Sequence, residues 1–148
     1  GELISLALVA ENEWYLYLVF DIKEKVDPWV KLNVVPKLGK YNPIPSTKTH
    51  GAAAIKKFLE ENSPDEPPVI VCDWPDDIKY FCEAILIGPG QMANIKDIIF
   101  RMIRYPPELR DISHPDTHNA VHDAKCLMKL LNVLHLKSGI LHKLLGIL

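Results

Sequence analysis

A chain of 148 residues that is 48% apolar and 24% charged has the makeup of one globular domain, large enough to bury a core. Its net charge of −2 excludes a broad basic field that coats nucleic acid by neutralising many phosphates, but not a protein that grips a strand end through bound metal. Cys72, Cys82 and Cys126 form no CxxC pair and read as free thiols; with no membrane-length apolar run and no basic leader, a cytoplasmic location and no membrane partner are expected.

Leu3 to Val9 is an apolar run ending at Glu11-Asn12, and Trp14 to Phe20 follows, rich in aromatic and branched residues. Two such runs around a short polar break predict an antiparallel hairpin. Asp27-Pro28 is a helix start, with Asp as N-cap and Pro at the first helical position, and that helix is expected to end near Pro36. Leu38 to Pro45 reads as a loop. Ser46, Thr47 or Thr49 then caps a second helix, whose Ile55, Phe58 and Leu59 share one face.

Val69 to Cys72 is a short all-apolar run, the pattern of a strand covered on both faces. Pro75-Asp76-Asp77 opens a helix that Gly88-Pro89-Gly90 stops. Ile95 to Tyr105 fits a strand or a helix, and Pro106-Pro107 ends it either way. Asn119 to about Leu136 is the clearest helix, with Ala120, Ala124, Leu127, Leu131 and Leu134 on one stripe, and a short amphipathic tail runs from Ile140 to Leu148. The alternation predicts an α/β layered domain with helices on both faces of a sheet.

Two clusters can carry chemistry. Asp73, Asp76 and Asp77 crowd the hand-over from the buried strand to a helix, where ligands collect in open α/β sheets. Three carboxylates in five positions repel one another, and a cation relieves that. The plainer reading is that Asp73 ends a strand while Asp76 and Asp77 favour the positive helix N-terminus. The second cluster is His118-Asn119-Ala120-Val121-His122-Asp123. Asp123 borders the buried stripe and needs a partner. His118 precedes the first full turn and suits a general base, because a histidine titrates near working pH. The plainer reading makes His118 a helix-start residue and Asp123 a surface acid.

His-x4-Asp, here His118 and Asp123, resembles the last motif of the DEDD 3′–5′ exonucleases in their histidine-bearing subclass. Cys72 to Phe81 resembles the second motif, with Asp77 as metal ligand, Asp73 in an Asn-like place and Asp76 out of register. Glu2 to Val9 is similar to the family's second strand, and Trp29 to Leu38 to the following helix of a ribonuclease-T-like branch. The resemblance spans most of the stretch from Glu2 to Leu134. It implies a ribonuclease-H-like mixed sheet flanked by helices. It also implies a hydrolase cleaving phosphodiester bonds at single-stranded nucleic-acid 3′ ends with two Mg²⁺ or Mn²⁺ ions. In that scheme Asp77 and Asp123 are metal ligands and His118 is the general base.

The family's first motif, Asp-x-Glu on the first central strand, has no counterpart. Asp21-Ile22-Lys23-Glu24 has the wrong spacing, since only positions two apart share a strand face, and Glu11-Asn12-Glu13 falls in the expected turn. Residues 1–148 are therefore read as one N-terminally incomplete exonuclease-like domain, inactive alone, whose sheet needs a partner between Leu3–Val9 and Val69–Cys72. That partner is expected from upstream residues or, less favoured, a neighbouring chain, and a homodimer stays open. Two alternatives stand beside this reading. One is a non-catalytic ribonuclease-H-like domain that binds nucleic acid or protein. The other is a zinc-binding protein using His114, His118 and His122, spaced four apart but with Pro115 against one continuous helix through all three.

Overall fold

Alternation along a single strand sets the layering. In a computed structural model describing residues 2–23, 25–138 and 145–147, β1 (Ser5–Val9) directs Leu6 and Leu8 to one side of a sheet and Ala7 and Val9 to the other. The chain continues through β2 (Tyr15–Phe20), α1 (Pro28–Asn33), a 3-10 turn (Val35–Lys37), β3 (Ile44–Ser46), α2 (Lys48–Asn62), β4 (Val69–Cys72) and α3 (Pro75–Ala84). A small separate hairpin, β5 (Leu86–Gly88) and β6 (Gln91–Met92), precedes β7 (Ile99–Met102), a second 3-10 turn (Pro107–Leu109), α4 (Ala120–Ser138) and β8 (Leu145–Ile147).

On the Leu6–Leu8 side, Leu18 and Ile70 of the sheet meet Ile55 and Leu59 of α2 and Phe81 of α3. On the Ala7–Val9 side, Tyr17 and Val71 meet Val121, Ala124, Leu127 and Leu131 of α4. At about 1.5–3 kcal/mol per large buried side chain, uncovering either face forfeits about as much as a domain's whole net stability, roughly 5–15 kcal/mol. The result is a mixed α/β domain with helices on both faces, as the alternating pattern predicted. No described helix is long and apolar enough to cross a membrane.

The main sheet has the order β3-β2-β1-β8-β4-β7. β1 runs antiparallel to both its neighbours, and every other pair in this sheet is parallel. β1 and β4 are not paired directly, so the expected gap between them is real. Its occupant differs from the expectation of upstream residues or a second chain. β8 of the same chain fills it, pairing Leu8 with Ile147 on one side and Ile70 with Leu145 on the other. Strands buried on both faces cannot leave their inner backbone groups unpaired, which drives some segment into the slot. Apart from β8, the tail from Ile140 to Leu148 lies outside the described residues.

Three smaller expectations also change. Ile44 and Pro45, read as loop, and Ser46, read as a candidate helix cap, form a parallel edge strand on β2, where Pro45 is tolerated on an unpaired side. The Gly88-Pro89-Gly90 stop is the tip of the β5–β6 hairpin, with Gly90 at φ +67, a backbone that glycine takes without strain. The ambiguous stretch after Ile95 contains β7, parallel to β4 and exposed at the sheet edge.

Asn119 fixes where α4 starts. Its buried side-chain oxygen accepts from the backbone N–H groups of Val121 and His122, and its amide nitrogen donates to the Lys37 carbonyl and the Tyr17 hydroxyl. One side chain thus ties the helix to β2 and to the turn after α1. Asn119→Ala should cost about 2–4 kcal/mol, the loss of a cap plus stranding of a buried carbonyl. Urea unfolding should show a lower midpoint at unchanged slope; an unchanged midpoint would refute the anchoring role.

Candidate active site

β4 ends at Cys72, and the chain turns directly into α3 through Asp73 and Trp74. Pro75 occupies the first helical turn, with Asp76 and Asp77 behind it. The helical turn separates the two acids: Asp76 is exposed, whereas Asp77 is only 8% exposed. Asp77 Oδ2 has no hydrogen-bond partner among the described residues. A buried carboxylate oxygen without a donor is costly and seeks a proton or a cation. Burial, with a smaller push from the charge of Asp76, raises the Asp77 pKa to about 7, against a lowering hydrogen bond from the Trp74 backbone.

Opposite lies the start of α4. Asp123 stands one turn inside the helix, and its Oδ2 accepts the backbone N–H of His118 at 3.0 Å. That bond closes a tight turn in which His118 takes φ +72, an uncommon backbone for a side-chain-bearing residue. Burial raises the Asp123 pKa to about 6, opposed by the His118 N–H and the charges of Arg110 and Lys37. Partial desolvation and then the Lys37 charge lower the His118 pKa, which leaves its ring neutral at neutral pH. The ring meets Trp29 edge-on at 4.9 Å.

Asp77, Asp123 and His118 line one cleft of about 350 Å³ beyond the carboxyl end of β4, together with Asp73, Trp74 and Tyr105. All three residues expected from sequence therefore share a site. Two expectations need correction. Asp73, Asp76 and Asp77 were expected to repel one another, but burial is the larger cause of the raised Asp77 pKa and Asp76 adds only a smaller push. The proposed trio of His114, His118 and His122 does not assemble either. His114 and His122 stack, but the third potential ligand beside them is Asp116, because the turn before Asn119 swings His118 toward Trp29.

Among the described residues, no group of three potential ligands surrounds Asp77 and Asp123 within 4.8 Å. Asp73 is held in an ion pair by Arg110, and the β8 segment Leu145–Ile147 beside β4 carries no carboxylate. Asp77 and Asp123 bring two carboxylates to the cleft, and Asp77 Oδ2 is left without a hydrogen-bond partner among the described residues.

No family model matches the chain, and no curated protein matches it. Sequence reasoning missed the cleft's other wall. Tyr105, Leu109, Arg110, Asp111 and Ile112 come from the irregular stretch before α4, and Arg110 lies 4.9 Å over the Tyr105 ring. The available signal was its length, since long structureless connections inside a domain usually serve a site. Cys72, beside the cleft, is held inert: burial and the Asp77 charge push its thiol up to about 11.

The raised carboxyl pKa values fix a pH dependence. The folded state keeps protons on Asp77 and Asp123 that the unfolded chain, titrating near 3.8, has already released. Stability of the metal-free protein should therefore fall as pH rises from about 4 to about 7. Asp77→Asn should flatten most of this slope and stabilise the chain at pH 7.5 by on the order of 2–4 kcal/mol. Urea unfolding in a chelator at several pH values checks this, and an unchanged slope in the variant would contradict it.

Proposed function

We propose that this chain carries the catalytic cleft of a metal-dependent 3′–5′ exonuclease of the DEDD histidine subclass, on a ribonuclease-H-like fold. The observation that carries the reading is the convergence of buried Asp77, with its unpartnered oxygen, Asp123 and neutral His118 on one cleft.

A bound divalent ion supplies charge neutralisation at the scissile phosphate and a more acidic water. Asp77 and Asp123 would hold the cation. Carboxylate oxygens suit Mg²⁺ or Mn²⁺, and the counter-charge of an ion would favour the ionised form of both groups. His118 takes the proton from the attacking water. Its neutral ring can accept one, and the Trp29 edge and the turn closed by Asp123 fix its position. Trp74, 60% exposed at the cleft, offers a stacking surface for a terminal base, worth about 1–3 kcal/mol.

The slot between β1 and β4 supports the reading that a central strand belongs there, and β8 holds that place without acids. With two cation-seeking carboxylates, the chain by itself should bind Mn²⁺ weakly and singly and show little nuclease activity. A form extended by an Asp-x-Glu strand that displaces β8 should digest single strands from their 3′ ends. The lack of acids on β8 equally favours a second reading, a non-catalytic domain that binds a nucleic-acid end or a protein.

Metal-dependent digestion of 3′-blocked and unblocked RNA and DNA oligonucleotides by the extended form separates the two. Asp77→Asn or Asp123→Asn should lower turnover by about 10²-fold or more, and His118→Ala by about 10²–10⁴-fold with metal binding retained. Activity that survives Asp123→Asn would remove the mechanism. Binding without any hydrolysis would leave the second reading.

A further inference from the structure

We infer that His114, Asp116 and His122 form a binding site for a divalent transition metal of the zinc class, which clasps the cleft-wall loop to the first turn of α4. One ligand atom from each of the three lies within 4.8 Å of the others. The inference does not rest on the nuclease reading, because none of the three belongs to the Asp77–Asp123 pair.

The donor set selects the metal. Two imidazoles and one carboxylate suit zinc, nickel or cobalt, whereas Mg²⁺ demands an oxygen shell. The surroundings resemble the outer support that metal ligands need. Asp116 accepts the Tyr41 hydroxyl at 2.7 Å and the Lys40 ammonium, so its carboxylate is oriented before any ion arrives. Cys126 Sγ lies 3.5 Å from His122 Nε2, one helical turn along, and is the next donor within reach.

The imidazoles stack at 4.2 Å and 14°, so binding requires one ring to turn edge-on. His114 is the one to turn, since it sits on the loop, and doing so gives up the bond its Nδ1 accepts from the Asp116 N–H. The same loop supplies Leu109, Arg110 and Ile112 to the cleft wall. Joining His114 and Asp116 to His122 would fasten that wall to the helix that also carries Asp123.

Cobalt reports such a site, because Co²⁺ in a low-coordinate nitrogen–oxygen site absorbs visible light while free aqueous Co²⁺ barely does. Titration of the whole chain with CoCl₂ should saturate at one equivalent, and Zn²⁺ should displace the colour. An Asp77→Asn/Asp123→Asn double variant should keep it. His114→Gln and His122→Gln should each weaken binding by about tenfold or more, and Tyr41→Phe by about tenfold, with far-UV circular dichroism showing each variant folded. In parallel, Zn²⁺ should slow trypsin cleavage after Arg110 in the parent chain and not in His114→Gln. Absence of the visible bands, their persistence in folded His114→Gln and His122→Gln, or their loss in the Asp77/Asp123 variant would each overturn the assignment.

Discussion

The placement of α4 rests on the Asn119 amide. Four hydrogen bonds from one buried side chain close the helix start and tie it to Lys37 and Tyr17. Everything chemically interesting on that side of the cleft is measured from this point. His118 directly precedes Asn119 and is forced into a left-handed turn, while Asp123 reaches back to the His118 N–H. A buried cap is more demanding than an exposed one, because every atom of the amide must find a partner away from water. Asn119 does so through secondary structure on three sides.

The opposite wall works by the reverse principle, a polar group left without a partner. Asp77 lies on the buried side of α3, and no described residue gives its Oδ2 a donor. Burial of that carboxyl favours its protonated form and raises its pKa to about 7. Under the proposed reading, a divalent ion offers more than a proton does, since it would attract Asp77 and Asp123 together.

Much of this was legible from the chain. The apolar run Leu3 to Val9 announces a hairpin strand and the all-apolar Val69 to Cys72 a strand covered on both faces, and both are buried strands. Asp123 stood out because it borders the buried stripe of its helix, a position read from spacing, and Asp77 because it stands where the buried strand hands over to a helix. What was not legible depends on contacts between distant residues. No local pattern says that Ile44–Ser46 will pair with β2 or that Leu145–Ile147 will enter the slot beside β1, because pairing is decided by which edge is open. His118 also points away from His114 and His122 for a reason invisible to residue spacing, the positive φ imposed just before the Asn119 cap.

The central claim, that Asp77 and Asp123 together hold a divalent cation, is tested most directly by counting protons. At pH 6.5, pKa values of about 7 and about 6 leave the pair carrying close to one proton, which the ion must expel. Calorimetric titration of Mn²⁺ into a His114→Gln background, repeated in buffers of different ionisation enthalpy, should give release of about one proton per chain, falling sharply in Asp77→Asn. Binding without proton release, or release that Asp77→Asn leaves unchanged, would contradict the account.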